Sequence, residues 1–236
     1  MFKVFGSPYS RFEGPWAFGY ELTEAQDLWA QIPSDADIVV THSPPQFHCD
    51  RRDDMTSHGC PELRRALSRV RPMLAVCGHI HEGRGYERVR WSTSSSPGDI
   101  LEEDSVSGSL PPAGSKKQSQ VDLTGKKQAR LDNISLLERM NQSPQDSLAT
   151  PLIMLSIPDS QSNASESMQD NRQLAEPDCG VISARKETCI VNAAIMANSW
   201  PYRRGKRFNV PIVVDVELPV WNKEVDTIHN AANGES

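Results

Sequence analysis

The sequence predicts an α/β domain built around parallel strands, with a long interruption that does not fold. Short β-branched or apolar runs alternate with helical patterns in the order strand, helix, strand, helix, strand. All 15 aromatic residues and all six histidines lie in residues 1–91 or 188–236. The 96 residues from 92 to 187 contain neither type and hold 18 serines, so they bury too little apolar area to offset the entropy of ordering.

The first predicted elements precede residue 42. Residues 3–5 form a short apolar run that ends at a glycine, as a strand does. Residues 23–26 read Thr-Glu-Ala-Gln, a capping-box pattern that opens a helix lasting to about Ile32, before Pro33. Residues 37–41 are rich in β-branched side chains and predict a second strand.

The second helix and three further strands follow. Pro61 suits a first helical turn, and apolar residues recur at helical spacing up to Val70. Residues 73–77 are a continuous apolar run ended by a glycine, which is typical of a buried strand. Two later runs, at 189–191 and 211–216, predict the closing strands.

The domain is therefore predicted to consist of residues 1–91 and 188–236, with residues 92–187 as a Ser-rich, mostly disordered insert. Within the insert, residues 131–140 are expected to be locally helical. The apolar residues 152–155 are either a helical docking motif or, as we favour, a site of residual collapse.

Composition excludes several classes of function. The net charge is −6, which argues against nucleic acid as the main partner because a phosphate backbone needs a basic binding face. No apolar run approaches the roughly 18 residues that span a bilayer, so a membrane is not expected as a partner. The N-terminus lacks a signal-peptide pattern, and the five scattered cysteines suit reduced thiols. An intracellular, cytoplasmic location is expected.

Three histidines follow two of the predicted strands. His42 comes directly after strand 37–41, and His79 and His81 follow strand 73–77 across Gly78. If these strands form one βαβ unit, both end at the sheet edge where ligands of α/β proteins bind. One such histidine alone would be read as a loop residue with a hydrogen-bond partner. Three converging imidazoles favour a site for Zn, Mn or Fe.

The same residues resemble a known family. Residues 78–85, Gly-His-Ile-His-Glu-Gly-Arg-Gly, resemble the final Gly-His-x-His motif of the calcineurin-like metallophosphoesterases, and residues 41–45 resemble the single-histidine motif before it. Residues 6–9, 188–194 and 211–215 look like flanking segments of the brain-type metallophosphoesterase-domain branch and its fungal relatives. The resemblance covers nearly all of the predicted domain.

This resemblance implies a fold, a cofactor and a substrate class. The family fold is a two-sheet sandwich flanked by helices, with two divalent metal ions (Mn, Fe or Zn) at the sheet edge. The family hydrolyses phosphomonoesters or phosphodiesters, and this branch is linked to nucleotides. By the family pattern, His42 and His79 hold one ion and His81 holds the other. The resemblance assigns no residue of this chain as the catalytic acid or base.

The family's three earlier motifs, Asp-x-His, Gly-Asp and Gly-Asn-His-Asp, are not found at their places in the sequence. The only Gly-Asp is Gly98-Asp99, after the last motif. We therefore expect a truncated phosphoesterase whose N-terminal half is missing. The alternatives are a non-catalytic remnant that binds a metal or a nucleotide, and an interaction protein that works through the insert.

Two other features of the loop after His42 remain open. The pairs His48-Cys49 and His58-x-Cys60 could form a structural zinc site, although their separation of eight residues is short and Gly59-Cys60 already matches the family. Asp50, Arg51 and Arg52 lie near the expected substrate and have no assigned role.

Overall fold

The computed structural model describes residues 2–11, 17–92, 102–108, 110–111, 117–133, 185–198 and 205–218. These residues form ten strands and two helices, in this order: β1 (Val4–Ser7), β2 (Ser10–Arg11), β3 (Gly19–Tyr20), α1 (Ala25–Ala30), β4 (Ile38–Thr41), α2 (Pro61–Val70), β5 (Leu74–Cys77), β6 (Gly85–Trp91), β7 (Glu102–Gly108), β8 (Ser119–Asp122), β9 (Glu187–Asn192) and β10 (Ile212–Asp215). The predicted α/β class is confirmed. Neither described helix is long and apolar enough to cross a membrane.

The main sheet has six strands in the order β1-β4-β5-β9-β6-β7. Strands β1, β4, β5 and β9 are parallel, and β6 runs antiparallel to both β9 and β7. Ile38 lies opposite Leu74, so β4, α2 and β5 form the predicted βαβ unit. Both of these strands therefore end at the same edge of the sheet, as expected for such a unit.

Both helices cover one face of this sheet. Their core side chains, Trp29 of α1 and Leu63 and Leu67 of α2, are almost fully buried, and they belong to one cluster with Val39 and Ile190 of the sheet. Helix α2 begins with Pro61 at its first turn, as predicted, and Cys60 caps it by accepting a hydrogen bond from the Leu63 N–H.

The opposite face packs against a smaller sheet in which β8 and β10 are parallel. Val121 of β8 and Ile212 and Val214 of β10 contact a second cluster, which contains Leu74 and Val191 of the main sheet. This arrangement buries both faces of the central strands, which explains their continuous apolar runs. The complete two-sheet sandwich and the missing N-terminal half stay predictions.

One expectation about local structure was wrong. The N-cap of α1 is Glu24 rather than Thr23, and the Glu24 side chain makes no capping bond. The Glu24 carboxylate instead accepts from the backbone N–H of Glu21, so the predicted capping box is not formed. Strand β6 lies in a segment for which the sequence predicted no helix or strand.

Part of the insert is ordered, which corrects the expectation of disorder for these residues. Strand β7 extends the main sheet beyond β6, and β8 belongs to the second sheet. Residues 131–133 of the predicted local helix are not helical, because Asn133 bridges to Arg185. Residues 134–140 and the apolar segment 152–155 lie outside the described residues.

Strand β9 supplies a matched test of core packing. Ile190 at its centre is fully buried, whereas Ile195 beyond its end is exposed. We expect Ile190→Val to lower the free energy of unfolding by about 1 kcal/mol, because it removes one buried methylene from a close-packed site. Urea denaturation measures this. Ile195→Val should leave the midpoint unchanged, and equal effects of the two substitutions would contradict the assigned core.

A histidine pair at the ends of β4 and β5

The ends of β4 and β5 bring two of the predicted metal ligands into contact. The Nε2 atom of His42 lies 3.1 Å from the Nδ1 atom of His79, and the ring centroids are 4.9 Å apart. A backbone hydrogen bond also joins the two strand ends, because the N–H of Gly78 donates to the carbonyl of His42 at 3.0 Å. The predicted convergence of these two histidines at the carboxyl ends of parallel strands is therefore observed, and their role as metal ligands stays a prediction.

Two loops carry the pair. We call residues 42–60 the His42 loop and residues 78–84 the His79 loop. Of the six described non-glycine residues with a positive φ, three lie in the His42 loop and a fourth is His79 itself, with φ of 65°. Such backbone conformations cost energy, persist only where the surroundings enforce them, and are concentrated at functional sites.

The electrostatic surroundings favour a neutral His79. Loss of solvent around the ring lowers its pKa, and the neighbouring charges of His42, Arg52 and His81 lower it further. A neutral imidazole has a free lone pair on one nitrogen, which is the form that binds a metal ion. The His79 loop therefore presents its imidazole in the form that can act as a ligand.

The separation of the His42 and His79 nitrogens suits two of the ligands of a single metal ion. Two nitrogens bound to the same ion, with bonds of roughly 2.0–2.1 Å, lie roughly 3 Å apart, which matches the separation of His42 and His79. His81 is half-buried and close enough to influence the pKa of His79. However, the described residues contain no group of three or more His, Cys, Asp or Glu side chains that could hold a metal. The three-histidine site stays a prediction.

A buried carboxylate organises the His42 loop. Asp50 is fully buried, and its Oδ2 atom accepts from the N–H of Phe47 at 3.0 Å, the N–H of Gly59 at 2.8 Å and the hydroxyl of Ser57. Three donors on one oxygen fold the loop back on itself. The loop thereby presents Arg52, whose charge reaches His79.

The structural zinc hypothesis was wrong. The His48 ring lies between two carboxylates, which contact its two nitrogens. Nδ1 is 2.9 Å from Glu87, and Nε2 is 2.7 Å from Glu102. Cys60 caps α2, and the thiol of Cys49 points toward the carbonyl of Ile190. Burial raises the pKa of the Cys49 thiol well above its usual range, so it stays protonated.

Sequence reasoning assigned no role to Asn192, the last residue of β9. Its side-chain amide donates to the carbonyls of Cys49 and Ile80, one in each histidine loop. The available signal was a polar residue directly after the apolar run 189–191 of a buried strand, at the same sheet edge as the histidines. Its partners could not be read from the sequence because they lie 143 and 112 residues away.

Comparisons with known proteins match parts of the chain. A stretch of 91 residues, 38% of the chain, is 47% identical to a protein of Emericella nidulans named probable rhamnogalacturonate lyase C. A stretch of 86 residues, 35% of the chain, is 40% identical to a UPF0046 protein of Caenorhabditis elegans. A stretch of 91 residues, 36% of the chain, is 41% identical to metallophosphoesterase domain-containing protein 1 of Homo sapiens. Part of this chain is related to the metallophosphoesterase-domain proteins.

The relationship is partial on both sides. The chain spans 8%, 21% and 27% of the lengths of these three relatives. No protein-family model matches the chain. The first relative is named for a lyase activity, but the matched stretch is only 8% of that protein. The name therefore describes the relative and not this chain. The metallophosphoesterase relationship nonetheless agrees with the resemblance carried by the two histidine motifs.

Proposed function

We propose that this chain supplies the histidine ligands of a metal-dependent phosphoesterase site. The site hydrolyses phosphomonoesters or phosphodiesters, nucleotides among them. The observation that supports it best is the contact of His42 with His79 at ligand spacing, where two adjacent parallel strands end. The relationship to metallophosphoesterase-domain proteins supplies the reaction class.

In this proposal His42 and His79 hold one divalent ion, Mn, Fe or Zn, and His81 faces a second. A bound divalent ion would supply a Lewis acid that polarises the phosphoryl group. The chain's own contribution is the placement of the neutral His79 imidazole next to His42, with a positive charge from Arg52 near them, which suits an anionic phosphoester. The carboxylate ligands of the family pattern belong to motifs that this sequence does not contain.

A second candidate is a non-catalytic module that binds a metal or a nucleotide through the same histidines. It is favoured by one observation: the described residues place no carboxylate with the pair in a group of three potential ligands. Imidazoles alone do not balance the charge of two divalent ions, so binding of a single ion without turnover is the expected behaviour of such a module.

The histidine pair can be tested by metal binding. We expect His42→Ala and His79→Ala each to weaken Zn²⁺ affinity at least roughly ten-fold, because each removes one of two neighbouring ligands. Isothermal titration calorimetry at fixed pH measures this. His58→Ala is the matched control, since its ring contacts Thr56 and lies outside the pair.

The outcomes separate the candidates. Equal Zn²⁺ affinity in the wild type and both variants would overturn the metal site itself. Zn²⁺ binding that depends on the pair, together with Mn²⁺-dependent hydrolysis of a chromogenic phosphodiester, supports the phosphoesterase. The same binding without turnover supports the non-catalytic module.

A further inference from the structure

Asn192 occupies a central position beneath both histidine loops. It ends β9, where it lies opposite Cys77 at the end of β5 and opposite Gly85 at the start of β6. The His79 loop connects those two strands and therefore passes over the end of β9. Asn192 is fully buried at this point.

Every polar atom of the Asn192 side chain is used. Its Nδ2 atom donates one hydrogen bond to the carbonyl of Cys49 at 2.9 Å and another to the carbonyl of Ile80 at 2.8 Å. Its Oδ1 atom accepts from the N–H of Ala194 at 3.0 Å. The amide is thus held by the backbone just after its own strand, and it binds two separate loops.

The two acceptor carbonyls belong to the segments that carry the metal-ligand candidates. Ile80 lies between His79 and His81, so one bond acts directly beside both imidazoles. Cys49 lies in the His42 loop and has a positive φ of 51°. A conformation of that kind needs external support, and the bond from Asn192 supplies part of it.

We propose that Asn192 is a positioning residue that clamps the two loops together and so sets the separation between His42 and His79. Only an amide of this length presents two N–H donors to two carbonyls while it accepts from a backbone N–H. Aspartate has the same shape but no donors, and it would place a negative charge against both carbonyls. The effect on metal affinity rests on the proposed function, whereas the effect on the ring separation does not.

The test compares crystal structures and Zn²⁺ titrations of the full chain and of Asn192→Asp. We expect the His42 Nε2 to His79 Nδ1 separation to widen from 3.1 Å to beyond hydrogen-bond range. We expect Zn²⁺ affinity per folded molecule to fall roughly ten- to 100-fold, as for other residues that orient metal ligands. Asn192→Ser, which is smaller and keeps one donor, carries the test if the aspartate variant does not fold.

Asn209 provides the matched control. Its Nδ2 atom also bridges two carbonyls, those of Ala194 at 3.0 Å and Met196 at 3.1 Å, but neither lies in a histidine loop. Asn209→Asp should therefore leave the histidine separation and the Zn²⁺ affinity at their wild-type values, even if it lowers the melting temperature.

Different outcomes would overturn the Asn192 clamp and the proposed function. An unchanged ring separation in a folded Asn192 variant overturns the clamp, and so does an unchanged Zn²⁺ affinity in a protein whose wild type binds Zn²⁺. If the wild type binds no Zn²⁺, the proposed function fails, and the clamp is then decided by the ring separation alone.

Discussion

Replacing Gly83 with alanine should destabilise the domain by at least about 3 kcal/mol and weaken Zn²⁺ binding roughly 100-fold. A Cβ atom at Gly83 would overlap the backbone carbonyl of Cys49 and crowd the amide nitrogen of Asp50. These are backbone atoms of the His42 loop, and they cannot move aside by changing a rotamer. The loop would have to shift away from the His79 loop and break the contact between the two histidines.

Gly85 makes this prediction specific. It lies two residues further on, at the start of β6, and a Cβ there would approach nothing closer than the carbonyl of Gly83 at 3.9 Å. Gly85→Ala should therefore be close to neutral in both urea denaturation and Zn²⁺ titration. If Gly83→Ala is as well tolerated as Gly85→Ala, the close packing of the two loops is wrong, and the positioning of the histidine pair must have another origin.

The parallel core could be predicted from the sequence because its signals are local. Strands β4 and β5 are short apolar runs, β5 is buried over most of its length, and α2 between them begins at a proline. The βαβ unit then places both carboxyl ends at one edge, which is why His42 and His79 could be paired without a structure. The position of a loop after such a strand is fixed by the strand itself.

Strand β6 could not be predicted because its charges are satisfied far along the chain. Glu87 pairs with His48, and Arg88 and Arg90 both pair with Glu187 of β9. A segment with charged side chains on both faces indicates a loop when the residues that pair with those charges cannot be identified from the sequence. Once those partners are in place, the same residues form an inner strand of the main sheet, paired with β9 on one side and β7 on the other.

The ordered part of the insert escaped prediction for a related reason. Strand β7 is mostly exposed along its length and has no apolar face to bury. It is held by backbone pairing with β6 and by Glu102, which contacts both His48 and Arg64. Composition reports apolar area but not such long-range ion pairs, so a prediction from composition treats this strand as disordered.

The ion pairs around His48 should make stability depend on pH. Burial alone would lower the pKa of His48, but hydrogen bonds and charges from Glu102 and Glu87 outweigh it and raise the pKa from 6.5 to about 9. The pKa values of both glutamates are lowered by the same contacts, against the effect of burial. The folded state therefore holds a buried imidazolium between two carboxylates, with Arg64 beside Glu102.

The directions of these pKa shifts determine whether stability rises or falls with pH. His48 binds its proton more tightly in the folded state, so its contribution is complete below pH 6.5 and is lost as the pH rises to about 9. At about 1.4 kcal/mol per unit of pKa, this loss amounts to at most about 3–4 kcal/mol. The glutamates contribute above their ordinary pKa of 4.5, and their share is lost as the pH falls through their lowered values. Stability from this cluster is thus greatest between pH 4.5 and 6.5.

Substitution of His48 should leave the largely buried Glu87 carboxylate without its charged partner, whereas Glu102 keeps its ion pair with Arg64. We expect His48→Ala to lower the free energy of unfolding by about 3–5 kcal/mol at pH 6, the usual cost of removing one member of a buried ion pair. Urea denaturation at pH 6, 7.5 and 9 measures it. The variant should also lose the decline in stability between pH 6.5 and 9, because the group that titrates there is gone. His58→Ala, which removes an exposed ring bonded to Thr56, should keep that decline. A decline that persists unchanged in His48→Ala would mean that another group is responsible, and that β7 is not anchored through this imidazolium.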